Sequence, residues 1–76
     1  MNDARRKVLD DAIRQLSEAK SRVEEIRGLE EETFEAMPES FQSGERGEKV
    51  TAAIDALGEA EEAIDNAVAS IEQAKE

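Results

Sequence analysis

Met37-Pro38-Glu39-Ser40-Phe41-Gln42-Ser43-Gly44-Glu45-Arg46-Gly47-Glu48 is the stretch on which the fold turns. It holds the only proline, two of the four glycines and one of the two phenylalanines. The chain on either side of it is amphipathic and free of proline. A residue preceding proline is pushed out of the helical region, so a helix arriving from upstream closes near Ala36. Ser40 to Gly44 supply turn and capping chemistry. A second helix then opens at Gly44 or Glu45, with Ser43 or Gly44 as its cap and Glu45 favourable against the helix dipole.

Upstream, Asn2 or Asp3 can cap a helix whose apolar residues fall at Leu9, Ala12, Leu16, Ala19, Val23 and Ile26. The steps alternate three and four, a heptad seam that sets large residues against alanine. Ile13 widens the stripe, Leu29 extends it on the flank, and Phe34 and Met37 return to it. Gly28 costs roughly 1 kcal/mol of helix propensity relative to alanine, which loosens the helix without ending it. Downstream the seam is regular, with Val50, Leu57, Ile64 and Ile71 at one position and Ala53, Ala60, Ala67 and Ala74 three residues after each.

Seams of large residues and alanine let two helices approach closely. The expected fold is therefore all-α, one domain over residues 1–76: helix 3–36, corner 37–44, helix 45–75, folded as an antiparallel helical hairpin. Each arm is roughly 45 Å long at 1.5 Å per residue. Ala56, Ala63 and Ser70 flank the second seam on one side, and Ile54 and Val68 on the other. Burying both flanks calls for two hairpins paired into a four-helix-bundle homodimer. The plainer alternative is alanine serving as a solvated helix former.

Composition narrows the function. The chain is 38% hydrophobic, 39% charged and 3% aromatic, the profile of long helices rather than a mixed core. It has no His, Cys, Tyr or Trp, which removes most general bases, soft metal ligands and base-stacking platforms. No enzymatic activity and no cofactor are expected. No stretch is long or apolar enough to span a membrane and no signal segment opens the chain, so a cytoplasmic protein is the expectation.

The formal net charge of −10 is uneven. Residues 1–27 come close to balance, whereas residues 28–45 carry Glu30, Glu31, Glu32, Glu35, Glu39 and Glu45 and no base. This argues against direct nucleic-acid binding through a basic face. In an antiparallel dimer of hairpins, Arg5-Arg6-Lys7 of one copy would lie near the acidic corner of the other, which predicts a dimer weakened by salt. Glu30-Glu31-Glu32 with Glu35 lacks the spacing of a calcium loop and points around the helix, so solvated surface is its reading. Glu61 and Asp65 resemble half of a di-metal bundle site but have no histidine to complete it.

Two places can bind an anion. At the corner, Gln42, Ser43, Arg46 and Lys49 surround a helix N-terminus able to receive phosphate or carboxylate. At the chain's start, Arg5 and Arg6 form a second cationic cluster. The alternative at the corner is an ordinary cap with Arg46 paired to Glu39 or Glu45, and at the start the charged end of a solvated helix. Phe41 reads as a plug over the hairpin end.

Ala4-Arg5-Arg6-Lys7, Glu30-Glu31-Glu32, Met37-Pro38-Glu39, Gln42, Glu45-Arg46 and Glu48, followed by an Ala-rich helix, together resemble a family of short acidic helical proteins encoded by phages and prophages. The chain departs from that pattern at Ser40, Phe41 and Gly47, where the family tends to carry Asn, Leu and an aromatic residue. The resemblance implies an accessory protein of the bacterial host cytoplasm that antagonises host defence. Its expected action is to sequester a small nucleotide-type signal through Arg46, Lys49, Ser43 and Gln42, with Arg5 and Arg6 from a second copy. The alternatives are an acidic DNA mimic that blocks a host defence protein, and a coiled-coil adaptor with no ligand.

Overall fold

The computed structural model describes all 76 residues and contains three helices: α1 (Asp3–Ala36), the single turn α2 (Glu39–Gln42) and α3 (Glu45–Lys75). α1 begins where the sequence predicts. Asn2 is extended and its side-chain oxygen accepts from the Arg5 backbone N–H at 2.9 Å. The helix runs unbroken through Gly28 to Ala36, and Met37 is extended (φ −71, ψ 142), as a residue before proline must be. α3 packs antiparallel along α1, giving a rod whose backbone extents are 58 × 15 × 11 Å.

The corner is more ordered than a turn. Pro38 accepts from the backbone N–H groups of Phe41 and Gln42, and Glu39 accepts from Ser43, which closes one helical turn between the long arms. Gly44, with extended backbone, is the N-cap of α3 and supplies no side-chain cap. Glu45 and Glu48 occupy the first turn, where carboxylates oppose the positive end of the dipole. No residue in the chain has positive φ.

The seams pack with two corrections. Leu9, Ala12, Ile13, Leu16, Ala19 and Val23 all turn toward α3, but Ile26 is 49% exposed and Arg27 takes the inward place one residue on. A straight helix drifts about 20° per heptad against a strict seven-residue repeat, so after three heptads the inward stripe has moved on. On α3, Val50, Ala53, Leu57, Ala60, Ile64, Ala67 and Ile71 face α1 and Ala74 is exposed. Ile54 and Val68 are half-buried against α1, so they do not form a free flank.

The two sides of the hairpin differ. On one, Lys75 pairs with Asp10, Lys20 with Asp65 at 2.8 Å, and Arg27 with Glu61. Arg27 places Nε and Nη2 on the two oxygens of Glu61, and its Nη1 lies 2.7 Å from Glu31. No ion pair crosses the other side, where the helical period sets Val8, Ala12, Ala19 and Ile26 of α1 beside Ala56, Ala63 and Ser70 of α3.

Gly47 is the only buried residue, and no apolar side chain is fully enclosed. The accessible surface is 5547 Å², against about 4,600 Å² expected of a compact monomer of this mass.

Candidate functional site at the corner

The corner is built around a backbone crossing. The N-terminal turn of α3 passes so close to α2 that a Cβ on Gly47 would lie 2.0 Å from the Gln42 carbonyl oxygen and 2.6 Å from that of Phe41. Only glycine fits this approach. Side-chain amide bonds then lock the corner to α1, for Gln42 Nε2 donates to the carbonyls of Phe34 at 3.0 Å and Met37 at 3.2 Å. These acceptors belong to the last turn of α1 and the residue after it, beyond the reach of the i+4 ladder, and the Phe34 carbonyl also accepts from the Met37 N–H at 3.1 Å.

Three of the six expected anion-binding residues are therefore held in structural bonds. Gln42 closes the end of α1. Ser43 donates its hydroxyl to the Glu39 carbonyl at 3.2 Å, away from the mouth of α3. Arg6 donates Nε to the Lys75 carbonyl at 2.9 Å, completing the C-terminus of α3, and pairs with Asp3 at 3.1 Å. Lys49 lies 3.7 Å from Glu45, both widely exposed.

The remaining two are open. Arg46 has no carboxylate at ion-pair distance, and its guanidinium stands 5.8 Å from the Phe41 ring centroid, a cation–π arrangement. The alternative pairing of Arg46 with Glu39 or Glu45 does not form. Arg5 also lacks an acidic partner and stands at the opposite end of the rod, so a single chain does not bring Arg5 and Arg46 together. Phe41 is 48% exposed and lines a shallow cleft of about 600 Å³ with Met37, Pro38, Val50 and Arg46. It is one wall of an open depression rather than a plug.

Four cations hold their protons more tightly than usual because each bonds to a carboxylate. Hydrogen bonding to Glu61 raises Arg27 most, bonding to Asp11 raises Arg14, to Asp65 raises Lys20, and to Asp10 raises Lys75. Glu61 and Asp65, the pair that resembles half of a metal site, are neutralised by Arg27 and Lys20. No cluster of three or more His, Asp or Glu is poised to hold a metal ion.

Sequence reasoning singled out Gly47 only as a departure from a pattern, and it missed the Arg27–Glu61 bridge. A charge at a seam-adjacent position was the available signal for Arg27, yet its partner depends on the register between the helices. No helix is long and apolar enough to cross a membrane. Comparison with protein families, curated proteins and solved structures finds no match for this chain. The class its geometry defines is thus an acidic all-α helical hairpin with a glycine-locked corner.

Proposed function

We propose that the chain is a non-enzymatic accessory protein that binds a basic protein surface through its carboxylates, in the manner of a nucleic-acid mimic. One observation carries this reading. In the corner half of the rod, Glu25, Glu32, Glu35, Glu48, Asp55, Glu59 and Glu62 have no cation at ion-pair distance, while most cations there are held by other acids. Unpaired carboxylates on two stiff, parallel rows steer and complement a basic groove. The resemblance to phage accessory proteins makes a host defence complex that grips nucleic acid the natural class of target.

The test is competition. Purified nucleic-acid-binding defence complexes carrying a fluorescent DNA duplex are titrated with the protein, and anisotropy is followed. Displacement that is lost in a Glu25→Gln, Glu32→Gln, Glu59→Gln, Glu62→Gln variant and unchanged in Arg46→Ala supports the mimic. No displacement at any complex tested sinks it.

Sequestration of a nucleotide signal is the second reading, favoured by the unpaired Arg46 against the exposed Phe41 ring, which offers a cation beside a stacking face. Native mass spectrometry of protein purified from bacteria making nucleotide signals addresses it. A nucleotide-mass adduct absent from Arg46→Ala would move the assignment to this reading.

A further inference from the structure

We infer that the side of the hairpin without ion pairs is the seat of a second copy of the chain, packed antiparallel so that α1 lies on α1 and α3 on α3. This goes beyond the target reading and does not depend on it. Val8 is 68% exposed and Ile26 49%, and they stand 18 residues apart, which is five turns and hence the same angle on α1. Beside them α3 presents Ala56, Ala63 and Ser70, all exposed and uncharged. The result is a strip of apolar and small side chains along the rod, interrupted on α1 by the exposed Gln15 and Arg22, and its small side chains on α3 permit close helix approach.

Three further observations name the occupant. The accessible surface of 5547 Å² exceeds the compact-monomer expectation by roughly 900 Å², surface that a rod one helix pair thick leaves uncovered. No apolar side chain is fully enclosed in one hairpin, so the chain lacks a core that would sustain it alone. Charge then selects the orientation. Glu30 is half-buried on this strip without a cation, and Arg5 is without an acid at the far end of the same helix.

With the midpoints of the two α1 helices overlaid, Arg5 comes within about one turn of the partner's Glu30, and Val8 meets the partner's Leu29, itself 50% exposed in the hairpin. The opposite orientation would instead set the two acidic corners side by side, with Glu30 to Glu35 of α1 against Glu45 and Glu48 of α3.

The test uses mass and cross-linking on the full chain. Light scattering behind gel filtration at micromolar concentration is expected to give twice the 8.4 kDa chain mass. The protein has no cysteine, so single Val8→Cys and Leu29→Cys chains can be mixed and mildly oxidised. The expected main product is the mixed Val8–Leu29 disulfide dimer. A monomeric mass overturns the inference, and so does a mass of three or more chains. A Val8→Cys chain that links mainly to itself, or to Ala74→Cys rather than Leu29→Cys, overturns the antiparallel arrangement. None of these readouts involves a target, so failure here is separable from failure of the mimic reading.

Discussion

Gly47 and Gln42 show what single residues do at the corner. The Gly47 hydrogen occupies space that a methyl group cannot, with a backbone carbonyl oxygen 2.0 Å from the position of its Cβ. Gly47→Ala must displace backbone rather than a flexible side chain, at a cost of about 3 kcal/mol or more, the upper end of overpacking in a tight site. Gly58 is the internal control. A Cβ there meets nothing within 4 Å, and its helical backbone suits alanine. Gly58→Ala should stabilise by about 0.5–1 kcal/mol. Urea denaturation of the two variants checks the opposite signs, and equal midpoints would refute the packing argument.

At the scale of the helix pair, α1 and α3 meet through alanine-and-aliphatic seams and are bridged along one side by Lys20–Asp65, Arg27–Glu61 and Lys75–Asp10. The bridges have a definite pH signature. Hydrogen bonding to Asp65 and Asp10 raises Lys20 and Lys75 above the ordinary 10.5, so the folded state holds these protons more tightly than the unfolded chain. Their stabilisation is complete below pH 10.5 and is lost as pH rises through the raised values. The urea midpoint should fall on passing from pH 9 to about pH 11.5, and less steeply in Lys20→Met. Arg27 keeps its charge throughout that window, so its bridge to Glu61 persists. A midpoint independent of alkaline pH would mean that the lysine bridges contribute nothing to stability.

For the whole molecule, two electrostatic effects of opposite sign act on pairing. Two chains of charge −10 repel overall, while Arg5 and the partner's Glu30 attract locally. Salt screens both, so the salt response that the charge map predicts is a sum of two signs. Glu30→Gln separates them, because it lowers the net charge and removes the local partner together. Surface ion pairs of this kind are worth roughly 0.2–1 kcal/mol, so the dimer should weaken by roughly 1.4- to fivefold per pair. Sedimentation across a concentration series reads the change, and a tighter dimer in Glu30→Gln would show that overall repulsion governs.

The sequence by itself determined the hairpin. Proline after Met37 ends one helix, Gly44 opens the next, and the spacing of Leu9 to Val23 and Val50 to Ile71 sets the packed faces, because these are local consequences of backbone sterics and helical period. The corner's candidate residues were visible as types but not as roles. Gln42, Ser43 and Arg6 read as anion ligands until their distant or capping acceptors were in place: the Phe34, Met37, Glu39 and Lys75 carbonyls. The tertiary structure alone decided that Arg27 replaces Ile26 on the inner face, that Glu61 and Asp65 are neutralised, and that Gly47 is the contact point. Each of these depends on the register and distance between chain segments far apart in sequence, and helical period carries no information about either.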